Sequence, residues 1–175
     1  MNAVSTYQSP LGELLLAADE EGLTGMWFQG QKYFAAGLRE ETEPRGLPVF
    51  EAKRWLDLYF QGKQPDFFPA LHMQGTPFQK LVWELLLQIP YGETITYGEL
   101  AGQIAAQLGR TSMSAQAVGG AVGHNKISIL IPCHRVVGRD QSLTGYAGGL
   151  ERKKWLLELE KGKYPVFPWN CKGLS

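Results

Sequence analysis

The chain opens with short apolar runs of strand length and then changes to helical spacing. Ala3–Gln8, Glu13–Ala18 and Gly22–Phe28 are apolar or β-prone. The segments between them, Ser9-Pro10-Leu11-Gly12 and Asp19-Glu20-Glu21-Gly22, carry turn chemistry. Together they predict a small antiparallel sheet. Between Leu47 and Phe60, the side chains of Phe50, Trp55, Leu58 and Tyr59 fall at helical spacing and predict a helix. Gly62, Pro65 and Pro69 then break the pattern, with Gly75 just beyond. The boundary between an N-terminal domain (1–73) and a C-terminal domain (74–175) is expected there.

Beyond it, Thr76 and Pro77 form a good N-cap and first-turn pair, and the helix they open runs to about Gln88, where Pro90 stops it. Thr96-x-x-Glu99 is a capping-box pattern and predicts a second helix to about Leu108. After the polar turn Gly109–Met113, Ser114 caps a third helix, Ala115 to about Gly123. Two short helices joined by a tight turn resemble a helix-turn-helix. The third helix contains Ala117-Val118-Gly119-Gly120-Ala121, almost without bulk. Each interior glycine costs about 1 kcal/mol relative to alanine. Either close helix packing or the approach of a ligand backbone would offset that cost. Ser128–Ile131 is β-branched and apolar and predicts a buried strand, and a last helix is expected from Leu150 to about Lys161.

Composition adds little: hydrophobic residues make up 44% and charged residues 19%, as in ordinary globular proteins. No apolar run is long enough to span a membrane, and Met1–Pro10 lacks a signal-peptide pattern. Charge is more telling. The net charge is zero, but Met1–Gly75 holds six Lys/Arg against ten Asp/Glu, whereas Thr96–Ser175 holds ten against five. That asymmetry hints at an anionic partner for the second half. The two cysteines, Cys133 and Cys171, have no CxxC partner, so a reducing, cytoplasmic compartment is expected. Scattered as they are, they and His72, His124 and His134 do not supply a metal site, and no phosphate-binding glycine loop or other cofactor motif is present.

Cys133 follows the apolar run Ser128–Ile131 and Pro132. A lone cysteine is most often a small buried hydrophobe. Here His134 and Arg135 follow it, and either cation would favour the nucleophilic thiolate. In an extended segment, neighbours alternate sides, so a bridging water would be needed between thiol and imidazole. The alternative for His134 is a purely structural histidine. Gly145-Tyr146-Ala147-Gly148-Gly149 is either a loop turning its N–H groups to a pocket or an ordinary turn. Glu160, near the end of the last helix, is either a solvated surface glutamate or a buried partner of His134. Cys171 reads as an incidental thiol.

Ile131-Pro132-Cys133-His134-Arg135-Val136 resembles the active-site signature of the O6-alkylguanine-DNA alkyltransferases. Pro77-Phe78-Gln79-x-x-Val82-Trp83, Ile89-Pro90-Tyr91-Gly92-Glu93-Thr94-x-x-Tyr97, Ala117–Ala121 and Gly145–Gly149 resemble further motifs of that family, in the same order. The resemblance implies an α+β (broadly α/β) fold: a small antiparallel sheet plus helix, then a winged helix-turn-helix domain. It implies direct-reversal repair of double-stranded DNA, in which the alkyl group of a flipped O6-alkylguanine passes irreversibly to Cys133. O4-alkylthymine is a further candidate substrate. In that scheme His134 is the base and Glu160 its orienter, Tyr97 donates to guanine N3, and Asn125 braces the turn before the active site. Val136, Tyr146, Ala147 and Gly148 would hold the base. Gln116, Ala117, Gly119, Gly120, Val122 and Arg135 would meet DNA. The protein would act once, without metal or cofactor, as a monomer or clustered along the duplex.

Two positions depart from the common family pattern. Gln116 stands where many members have an arginine that fills the gap left by the flipped base, and Ala147 where some have serine. Two other classes compete. A cysteine hydrolase would need a facing histidine, for which only His72 and His124 are available. A non-catalytic damage sensor would have no need of Cys133.

Overall fold

The structure is a computed structural model and describes residues 3–38 and 46–163. Strands β1 (Ala3–Ser9), β2 (Gly12–Ala18) and β3 (Leu23–Phe28) form an antiparallel sheet in the order β1-β2-β3. Gly12 closes the first hairpin at φ +106°, a backbone region that only glycine enters cheaply. Helix α1 (Leu47–Phe60) lies against the sheet and buries Val49, Ala52, Trp55, Leu56 and Tyr59.

The second half is helical. Helix α2 (Pro77–Leu87) begins in a complete capping box. Gln79 N–H donates to the Thr76 hydroxyl at 3.1 Å, and Thr76 N–H donates to Gln79 Oε1 at 3.0 Å. Next come β4 (Ile95–Thr96) and α3 (Tyr97–Leu108), capped by Thr96, whose hydroxyl accepts from Glu99 N–H. Gly109 ends α3 in the left-handed region. Helix α4 (Ala115–Gly123) packs on α2 and α3, and Trp83 Nε1 donates to the Ala121 carbonyl at 2.9 Å. Strand β5 (Val136–Val137) pairs in parallel with β4, and α5 (Leu150–Glu160) closes the described chain. One core joins both halves, with Leu14 and Phe28 from the sheet, Trp83 and Leu100 from the helices, and Leu156 from α5.

The expected strand at Ser128–Ile131 is instead a buried turn. Only Ile127 makes a β-bridge, to Met26 of β3. Met26 N–H donates to Lys126 O, Ser128 N–H donates to Met26 O, and Ile131 N–H returns to Ile127 O. Ile129 takes a left-handed φ of 72°, an uncommon conformation for a β-branched residue. The apolar run reflects burial, because all four side chains are buried, and it does not produce a strand. The result is a short segment that meets β3 at one bridge, bends sharply and places Cys133 in the wall of a pocket.

Candidate active site

Cys133, His134 and Arg135 form one 3-10 turn that follows Pro132. The turn breaks the alternation expected of an extended segment. Cys133 is 4% exposed and forms part of the wall of an open pocket of about 370 Å³. The pocket is also lined by Tyr97 of α3, Gly119, Gly120 and Val122 of α4, and Tyr146 and Ala147 of the glycine-rich loop.

Asn125 holds the turn from inside. Its Nδ2 donates to the Ile131 carbonyl at 2.8 Å and to Cys133 Sγ at 3.2 Å, while its Oδ1 accepts from Ile127 N–H at 3.0 Å. One side chain thus spans both ends of the bend and touches the thiol. Behind the sulfur lies a fully buried charged cluster. His134 Nε2 donates to Glu160 Oε2 at 2.6 Å, Tyr59 OH donates to the same oxygen at 2.5 Å, and Gly92 N–H donates to Oε1. Arg135 Nε donates to Glu160 Oε1 at 2.7 Å, and its NH1 donates to the Ile89 carbonyl. Burial alone would raise the Glu160 pKa. The charges and hydrogen bonds of His134 and Arg135 outweigh it and hold the carboxyl well below its ordinary range. Burial pushes His134 down in spite of Glu160, so the imidazole is neutral near pH 7. Its Nδ1 has no protein partner among the described residues.

Burial also raises the Cys133 thiol, against the Asn125 hydrogen bond, the charge of Lys153 and the N–H groups of Cys133 and His134. The resting sulfur is therefore a protonated thiol, and ionisation has to accompany reaction. The cation that favours the thiolate is Lys153, which the sequence did not single out. It is 0% exposed, and its ammonium donates to the carbonyls of Val136, Thr144 and Gly145. Burial lowers it to about 8, with the Cys133 charge acting against that shift.

Arg135 does not face a DNA strand, because its guanidinium is buried on Glu160 and Ile89. The Val136 carbonyl accepts from Lys153, which leaves it a second lone pair, and its side chain is fully buried. Gly148 supports the loop from behind: a Cβ there would meet the Tyr146 ring at 2.7 Å and Phe28 at 3.1 Å. Val122 is buried and lines the pocket, without reaching the outer face. Gln116, Gly119 and Gly120 do lie on the exposed face of α4, with Ala117 half-buried beside them. A Cβ at Gly119, Gly120 or Gly123 would meet nothing within 4 Å. Close helix packing is therefore not the reason for these glycines. Cys171 lies outside the described residues. His72 is held by Asp19 and Glu21, whereas His124 lines the Cys133 pocket and is stacked on Tyr33.

Residues 3–71 match the family described as 6-O-methylguanine DNA methyltransferase, ribonuclease-like domain, and residues 77–162 match its DNA binding domain. The chain belongs to the 6-O-methylguanine DNA methyltransferase family. Relatives named methylated-DNA–protein-cysteine methyltransferase include one from Mycobacterium tuberculosis, 44% identical over 92% of this chain and 93% of its own. Another, from Haemophilus influenzae, is 44% identical over 90% of this chain and 86% of its own. A crystal structure of Mycobacterium tuberculosis OGT in complex with DNA superposes with a TM-score of 0.80, at 43% identity, covering 94% of this chain and 96% of the other. As in this family, a small antiparallel sheet precedes a helical DNA-binding domain. Among the described residues no helix is long and apolar enough to cross a membrane.

Proposed function

We propose that the protein repairs alkylated double-stranded DNA by taking the alkyl group from O6 of an extrahelical guanine onto Cys133. One observation carries this reading. The Cys133 thiol opens on a pocket beneath the bare face of α4, and a single 3-10 turn ties it to the buried His134–Glu160 pair. A base has to leave the duplex stack before its O6 can reach such a sulfur.

The thiol is protonated at rest, so its proton moves to His134 Nδ1, directly or through one water, as the sulfur attacks. Glu160 holds Nε2 and stabilises the imidazolium that forms. The S–C bond forms while the C–O6 bond breaks, and the guanine leaves as an anion that must gain a proton or a hydrogen bond. Tyr97 lines the pocket, and burial followed by the Cys133 charge raises its pKa, so it meets the leaving base as a phenol donor. Lys153 draws the Val136, Thr144 and Gly145 carbonyls together beside the sulfur and lends its charge to the thiolate. The product is a thioether, so each molecule acts once. A reducing cytoplasm, which keeps the thiol available, suits that chemistry.

Incubation with duplex DNA containing O6-methylguanine, followed by peptide mass analysis, tests the reading. One methyl group on the Cys133 peptide, and none in Cys133→Ser, is the expected result. Repeated turnover of an ester or amide would favour a cysteine hydrolase. Unchanged repair by Cys133→Ser would end the assignment.

A further inference from the structure

Part of the pocket wall comes from the N-terminal half. Lys32 and Tyr33, in the segment after β3, line the same cavity as Cys133. Lys32 N–H donates to the Ala147 carbonyl at 3.1 Å, which pins the segment to the glycine-rich loop. Tyr33 adopts a left-handed φ of 60°, a conformation that a bulky side chain takes only when its surroundings impose it. In that conformation its ring stacks on His124, 4.1 Å between centroids, and His124 Nδ1 in turn meets the Gly120 carbonyl of α4 at 2.6 Å. The Lys32 ammonium lies 5.2 Å from the Tyr33 ring centre. Lysine, tyrosine and histidine therefore form a ladder from the N-terminal half to the C-terminal end of α4, at the rim of the site.

Charge gives the ladder its meaning. Helix α4 carries no Lys or Arg, and Gln116 occupies its exposed face. Among the described residues no carboxylate lines the pocket, and Lys32 is the lysine or arginine that does. Lys32 is exposed and makes no ion pair among the described residues. A nucleotide whose base enters this pocket keeps its phosphates outside, at the rim. We propose that Lys32 binds a backbone phosphate beside the extruded nucleotide, on a platform of Tyr33 and His124. The N-terminal half thereby supplies the cation that α4 lacks. This inference rests on the repair function proposed above.

The experiment uses the full chain, a duplex bearing O6-methylguanine, and the free O6-methylguanine base. Each phosphate contact adds about 0.9 to the slope of log affinity against log salt. Lys32→Ala should therefore bind the duplex more weakly with a slope shallower by about one. Its deficit relative to the unmodified chain should shrink roughly threefold between about 50 and 200 mM salt. Lys32→Arg should restore the slope, and Lys63→Ala, an exposed lysine in the turn after α1, should keep it. Transfer from the free base, which has no phosphate, should fall much less in Lys32→Ala than transfer from the duplex. An unaltered slope in Lys32→Ala, or an equal loss of transfer from free base and duplex, overturns the proposal. If the unmodified chain forms no Cys133 adduct from either substrate, the repair function itself fails.

Discussion

Asn125 offers the sharpest test of how the site is held. Replacement by alanine removes the acceptor of Ile127 N–H and a donor to the Ile131 carbonyl, both inside the bend. The Ile131 carbonyl keeps the Cys133 N–H, so only Ile127 N–H is left unpaired; at about 1–3 kcal/mol for that group and about 1 kcal/mol for the lost Ile131 bond, Asn125→Ala should lose about 2–4 kcal/mol of stability. It also removes the hydrogen bond to Cys133 Sγ, the largest influence opposing the rise in the thiol's pKa. At about 1.5 kcal/mol for a bond to a charged acceptor, transfer should slow roughly tenfold. Asn125→Asp separates the two roles. Its carboxylate still accepts from Ile127 N–H, but it places negative charge where the thiolate must form, so transfer should fall below that of the alanine variant. Urea unfolding measures the first effect, and single-turnover transfer of labelled methyl measures the second. Transfer by the aspartate variant at or above the alanine rate would refute the contact with sulfur as a chemical one.

Four further outcomes are expected. Gln116→Arg should tighten DNA binding and steepen its salt dependence, because the added cation lies on the exposed face of α4; equal affinity across a salt series would count against that face meeting DNA. Tyr97→Phe should slow transfer more than it weakens binding, and equal losses would restrict the hydroxyl to affinity. Lys153→Met removes the donor shared by three carbonyls and the charge beside the thiol, so it should lower the urea midpoint and slow transfer at neutral pH; a change in stability alone would make the lysine purely structural. Acid should destabilise the fold early. The folded pKa of His134 lies below its ordinary 6.5, so the unfolded chain binds the extra proton and stability falls as pH drops below that value. Glu160, depressed from 4.5, adds to the loss further down. A urea midpoint that stays constant from about pH 7.5 to 5 would contradict the neutral, buried imidazole.

Much of the fold was legible because local signals agreed with it. The turn residues around Gly12, the Thr76 and Thr96 caps and the glycine after α3 each mark an element boundary in the structure. Ser128–Ile131 misled because burial and strand periodicity give the same short apolar run, and the long-range bond to Met26 and the Asn125 brace decide the bend. Helix α5 hides Lys153 in the same way, whereas Glu160 could already be weighed as a partner of His134. Lys153 and Glu160 are buried charges, so their positions break the apolar stripe that marks an inward face. Nothing adjacent in sequence links Tyr59 to Glu160, 101 positions away. Arg135 carried the opposite error: beside a cysteine, a cation reads as a DNA or thiolate contact, whereas its partner is a distant carboxylate.

The bond from β3 to Lys126–Ser128 binds the two halves into one inheritance. The bend presenting the sulfur hangs by one bridge on a sheet whose own strands carry none of the chemistry. A substitution that displaced Met26 would therefore shift the footing of the nucleophile, although Met26 itself does none of its work.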